Sequence, residues 1–207
     1  MKRFAYLLFV LFALTGCSTT VFESIPRGSM TDCDPAWPGR WKPLATSENP
    51  STPKDTLDIS TDCRNATIEG KTKPTNLSLI DTDRMQYLLI HNDNRSLDCI
   101  GSDGSHCGVI LFRYVREGDT IKLFAPDHAK VAALIKAGKL QGFSAPLQDK
   151  GLSTSAPNYQ NFIAGDPEQI RKLLHKRSEL FSSKPQIVLQ RMPTIETPSN
   201  QPTPTEH

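Results

Sequence analysis

Residues Val109 to Ala125 read VILFRYVREGDTIKLFA, the two longest apolar runs of the folded region on either side of Glu117-Gly118-Asp119. Ile121 and Leu123 alternate with Thr120 and Lys122, the period-2 pattern of a half-wet antiparallel strand. The Glu-Gly-Asp step supplies the turn at which the two runs pair as a hairpin, and this hairpin is expected at the centre of the sheet. Upstream, short apolar segments punctuated by turn residues continue the pattern: Gly39 to Leu44, Thr56 to Thr61, Asn65 to Glu69, Asn76 to Ile80 and Tyr87 to Asn92 all read as strands. Downstream the period changes. Asp127 caps a helix in which Val131, Leu134 and Ile135 recur three and four apart, and Gly138 ends it. Asp166-Pro167-Glu168-Gln169 opens a second helix with a variant capping box, and Ile170, Leu173, Leu174 and Leu180 form its apolar stripe. Ile187 to Gln190 adds a final short strand. The expected fold class is α+β: an antiparallel meander of about seven strands followed by helix, short strand, helix.

The chain carries 24 Lys+Arg and 22 Asp+Glu in 207 residues, 37% hydrophobic and 22% charged. That suffices for one domain with a packed core and excludes both a polybasic nucleic-acid binder and a wholly disordered chain. The small positive charge comes from Lys2 and Arg3. They precede an apolar run from Phe4 to Leu14, the layout of an export signal and too short for a permanent span of about 20 residues.

That signal ends in Leu14-Thr15-Gly16-Cys17, which resembles the lipobox of bacterial lipoproteins. The resemblance implies that residues 1–16 are removed, that the thiol of Cys17 carries a diacylglyceryl group and that its new amine is acylated, palmitate being the chain expected. Such a protein is anchored to the membrane through lipid on Cys17 without spanning it. Ser18, rather than Asp, follows Cys17, which by the same resemblance points to the outer membrane, periplasmic face. The mature domain as a whole is similar to Gram-negative lipoproteins that have no assigned activity.

Residues 17–32 comprise the lipidated Cys and a Ser/Thr/Gly/Pro-containing stretch expected to be a flexible tether, with a reach of roughly 50 Å when extended. A single domain is expected over 33–192. Residues 193–207 form a Pro-rich tail with almost nothing to bury, expected to be disordered.

Setting Cys17 aside leaves Cys33, Cys63, Cys99 and Cys107, an even number for an oxidising compartment. Four cysteines permit three pairings. Cys99 and Cys107 bracket a Gly/Ser-rich loop, so a local bridge there is the simplest choice, leaving Cys33 to Cys63. A metal site from Cys99, His106, Cys107 and His91 competes, but the spacing is not one that lets a single turn present two zinc ligands, so no metal site and no cofactor are expected.

No catalytic residues are singled out. There is no Gly-x-Ser-x-Gly elbow, no His-Glu-x-x-His and no phosphate loop. His91, His106, His128 and His175 are scattered, Asp81 and Asp83 read as turn residues, and Asp93, Asp98 and Asp103 read as solvated loop acids rather than a calcium loop. Asn65, Asn76 and Asn94 match a glycosylation pattern that the lipobox makes irrelevant.

Asp34 to Trp41, DPAWPGRW, looks like the Gly-x-Trp that opens the first strand of lipocalins. Two functions are therefore carried forward. The first is a non-enzymatic lipoprotein that binds an envelope protein partner or supports the envelope, with no nucleic-acid partner. The alternative is a lipocalin-like binder of a small apolar ligand. The two differ in whether Leu88, Ile90, Ile110, Phe112 and Tyr114 line an interior in one alternating set or fill a core against the helices.

Overall fold

The computed structural model describes residues 18–47, 56–68, 70–74, 76–82, 85–91, 98–101, 104–146 and 158–193. The signal segment, Cys17 and residues 194–207 lie outside the described residues. The central hairpin is β11 (Leu111–Glu117) and β12 (Thr120–Phe124), paired so that Glu117 faces Thr120. Gly118 takes φ 57° at the first position of the two-residue loop, a conformation glycine adopts without a Cβ penalty.

From this hairpin the sheet grows in both directions, antiparallel throughout. On one side β8 (Gln86–His91) pairs with β11, β7 (Asn76–Asp81) with β8, and the short β2 (Ser29–Thr31) with the far edge of β7. On the other side β15 (Ile187–Arg191) pairs with β12 and then with β3 (Gly39–Leu44), followed by β4 (Leu57–Ile59), β5 (Asn65–Ile68) and β6 (Lys71–Pro74). Leaving aside the short edge strand β2, the outermost strands of this order are β6 and β7, and only residue 75 separates them in the chain. Laid flat, nine strands at about 4.8 Å spacing would hold their outer members roughly 38 Å apart, far beyond the roughly 7 Å that one intervening residue can bridge. The sheet therefore curls until β6 and β7 come side by side or end to end, and the wall closes as a barrel.

This corrects the expected α+β class. The protein is β-rich: a curled antiparallel sheet carries the structure, and two helices, α1 (His128–Lys136) and α2 (Pro167–Lys176), sit in the connection between β12 and β15. The seven expected strands are present, but local pattern gave no sign that β15 would return to pair with β3, Val188 facing Leu44. That pairing turns a meander into a barrel.

Alternation along each wall strand sorts the side chains onto two faces. Trp41, Ile59, Ala66, Leu77, Leu79, Leu88, Phe112, Tyr114, Ile121, Leu123, Ile187 and Leu189 belong to one cluster, the barrel interior. Ile80, Tyr87, Leu89, Leu111 and Phe124, from the same strands, belong to a second cluster on the outer wall with Val131, Ile170, Leu174 and Leu180 of the helical connection. Both faces of β8 and of the first half of β11 are thus covered, which is why VILFRYV reads as a nearly unbroken apolar run. The caps that place the helices are formed as the sequence implies. Asp127 Oδ1 accepts from Lys130 N at 3.0 Å, and Asp166 Oδ1 accepts from Gln169 N at 2.8 Å while Gln169 Oε1 accepts from Asp166 N at 2.9 Å.

A second correction concerns residues 18–32, expected to be a tether. β1 (Thr19–Phe22) is a buried strand that pairs in parallel with β14 (Tyr159–Ile163), which also takes β13 (Gly142–Pro146) on its other side. Phe22 exchanges both backbone hydrogen bonds with Val109, at 2.8 and 2.7 Å, tying this small sheet to the barrel. Ser, Thr and Gly content suggested a linker, but Val21 and Phe22 are fully buried, and that burial decides the outcome.

Two disulfides are present. Cys33–Cys63 has a Cα–Cα distance of 5.5 Å, and Cys99–Cys107, at 4.0 Å, joins facing positions of β9 (Asp98–Ile100) and β10 (His106–Gly108).

Candidate functional site at the plugged end of the barrel

The segment that leads into β3 folds across the interior where that strand begins. Trp37 and Trp41 are both almost wholly buried there, and Trp41 Nε1 donates to the Trp37 carbonyl at 2.7 Å. From the end of β15, the Arg191 guanidinium lies 4.4 Å over the Trp41 ring, donates from Nη1 to the Pro38 carbonyl at 2.9 Å and from Nη2 to the Ala36 carbonyl. Gly39 makes this possible. Its φ is 118°, and a Cβ there would stand 2.8 Å from Arg191 Nη1. The Gly-x-Trp step thus provides both the backbone turn and the ring on which a distant arginine closes.

Next to this plug, the Trp37 and Tyr114 rings lie 5.9 Å apart. Each carries a buried polar atom with no hydrogen-bond partner among the described residues, Trp37 Nε1 and Tyr114 Oη, on residues only 2% and 3% exposed. Leaving such a donor unpaired costs about 1–3 kcal/mol. Burial, reinforced by the negative charge of Asp34, pushes the Tyr114 hydroxyl up to about 12, against the smaller pull of Arg116 and Arg191. It stays protonated at neutral pH. The indole N–H can only donate, and the phenol can donate as well, so the pair suits a molecule bearing an acceptor oxygen. The third orphan, Arg113 Nε, is on the outer wall, its guanidinium 3.9 Å over Phe124.

A separate polar cluster joins β1, β13, β14 and α1. Asn161 Oδ1 accepts from Ser144 Oγ at 2.7 Å, while its amide donates to Thr20 Oγ1 at 3.2 Å and to the His128 carbonyl at 3.0 Å. Thr20 Oγ1 lies 2.8 Å from His128 Nδ1. Burial lowers the imidazole to about 4, although the nearby Asp127 charge opposes the shift, so His128 is neutral in the fold. A hydroxyl beside a neutral imidazole is the start of a nucleophile–base pair. The Thr20 hydroxyl and both ends of the Asn161 amide are, however, already engaged within the cluster, so nothing is left to act on a substrate. The cluster fastens β1 in place.

The other singled-out residues are dispersed. Cys17 is outside the described residues. Cys33, Cys63, Cys99 and Cys107 are consumed in disulfides, and among the described residues no three His, Cys, Asp or Glu form a metal-holding group. His106 packs against the neighbouring rings of Phe143 and Phe162, with ring centroids 4.6 and 4.9 Å away. His91 ends β8, His175 lies in the last turn of α2, Asp81 ends β7 and Asp98 begins β9, where burial raises its carboxyl. Asp83, Asp93, Asp103 and Asn94 lie outside the described residues, and Asn65 and Asn76 begin β5 and β7. The DPAWPGRW stretch held a signal for Trp37 and Trp41. Tyr114 belonged to the alternating set named for the ligand reading; Arg191 had no signal, because only folding brings it to that stretch.

The chain matches no family model, no curated protein and no solved structure.

Proposed function

We propose that this chain is a lipid-anchored envelope protein, held by Cys17 at the periplasmic face of the outer membrane, whose barrel binds a small, mainly apolar molecule carrying one acceptor oxygen. The observation that carries the binding reading is the pair of buried donors without a partner among the described residues, Trp37 Nε1 and Tyr114 Oη, in an interior lined by one alternating apolar set. A barrel with about eight wall strands is of the size that either fills with side chains or holds one small ligand, and unpaired buried donors favour the second. The apolar faces of the helices are taken up by the outer wall. Among the described residues the large exposed hydrophobics are Ile25, Met30 and Leu44, so a broad apolar surface for a protein partner gains no support. The anchoring reading is supported by the Leu14-Thr15-Gly16-Cys17 sequence behind the short export signal.

Both tryptophans face the interior cluster, so a quencher that enters it is read directly. Titration with 12-bromododecanoic acid, whose bromine quenches indole on contact, should give saturable loss of tryptophan fluorescence. Tyr114→Phe should weaken the affinity about tenfold, the equivalent of one hydrogen bond of about 1.4 kcal/mol. Quenching that never saturates, or equal affinity in the variant, would refute this site.

A further inference from the structure

We infer that the domain is seated directly on the lipid surface in one fixed orientation, with the end of the small sheet where Ser18, Tyr159 and Pro146 lie turned to the bilayer. The inference rests on the proposed lipidation of Cys17 and adds what the fold does with it.

Ser18, the residue after the proposed attachment point, is already held in the fold. Ser18 Oγ accepts from Tyr159 N at 2.9 Å, and Thr19, Thr20, Val21 and Phe22 are each in register with β14. Thr20 is clasped by Asn161 and His128, and the strand ends in the Val109 bridge. Adjacent Cα atoms are about 3.8 Å apart, so the acylated residue can lie no further than that from a point fixed in the fold. A tether of 15 residues could have held the domain roughly 50 Å from the lipid and let it tumble. One peptide unit permits neither.

Register sets which side meets the membrane. β14 runs parallel to β1, so its first residue, Tyr159, lies at the Ser18 end; β13 is antiparallel, so Pro146, opposite Tyr159, lies there too, and Gly142, opposite Ile163, lies at the far end. Tyr159 is half-buried and Pro146 exposed. A tyrosine with an apolar ring and a polar tip suits the boundary between hydrocarbon and water. Gln141, exposed next to the far end of β13, stands about 16 Å from Pro146 along the strand.

The test uses the full lipidated protein in phospholipid vesicles doped with headgroup-nitroxide lipid. A fluorophore is clicked onto an unnatural amino acid introduced at position 146 or at position 141. Fluorescence should be lost at 146 and largely kept at 141. A Gly/Ser insert of about ten residues between Cys17 and Ser18, with an r.m.s. reach of roughly 17 Å, should remove the difference. Equal quenching at both positions in vesicle-bound protein overturns the seating while leaving the anchor intact. Protein that does not float with the vesicles, and whose Cys17 peptide carries no acyl mass, overturns the anchor itself.

Discussion

Acid should weaken this fold through one identifiable side chain. His128 is held neutral, its conjugate acid lowered from 6.5 to about 4 by burial, with Thr20 Oγ1 on Nδ1 and the Asn161 amide on its carbonyl. A histidine with a depressed folded-state value contributes stability that is fully present above about pH 6.5. That stability is lost as pH falls from there toward 4, because the unfolded chain takes up the proton first. Linkage between those two values gives a loss of about 1.8 kcal/mol from pH 7 to pH 5, and allowing for the part of the ring that solvent reaches brings it to about 1–2 kcal/mol. His128→Gln keeps a polar partner for Thr20 and removes the titration. Urea unfolding followed by Trp37 and Trp41 fluorescence at both pH values is the assay. The wild-type midpoint should drop on acidification by more than that of the variant, and the difference should disappear above neutrality. Asp98, whose carboxyl is raised by burial, acts with the opposite sign in both proteins and cancels in the comparison. An identical pH dependence in wild type and variant would refute the reasoning.

Other perturbations separate the parts of the fold. Opening Cys33–Cys63, which closes a separation of 30 residues, should cost about 3–4 kcal/mol, against about 2.5 kcal/mol for Cys99–Cys107 with its separation of 8, measured by urea midpoints of the paired Cys→Ala variants. Gly39→Ala must place a Cβ against Arg191 at a φ that L-residues avoid, so thermal unfolding should show a loss of about 1–3 kcal/mol, part of which Arg191→Met should mask in the double variant. Tyr114→Phe should leave the unliganded protein as stable or about 1 kcal/mol more stable, because it removes an orphan donor, even though it weakens capture of the brominated acid.

Some of the molecule was legible in its local sequence. The hairpin at Glu117 to Thr120 followed from two apolar runs and a glycine, and the helix starts at Asp127 and Asp166 followed from cap chemistry that needs only the next three residues. Disulfide bonding followed from an even count of cysteines beyond the lipobox. The tether was misread because composition reports solubility, whereas β1 is held by partners more than a hundred residues away, in β14 and α1. The site was legible in part: DPAWPGRW marked the tryptophans and the alternation of its run marked Tyr114, while Arg191 looked like any terminal cation.

The sequence by itself determined the central hairpin, the strands on either side of it that show an apolar pattern and the two helix starts, because periodicity, caps and turn residues act over a few positions. Only the tertiary structure decided that the sheet closes, with β15 returning to β3 and β6 continuing into β7. It alone also divided the apolar residues between a barrel interior and a helix-covered outer wall. Those outcomes depend on pairing segments far apart in the chain. Loop-closure entropy opposes such pairings and the burial of both sheet faces offsets it, a balance that no window of neighbouring residues contains.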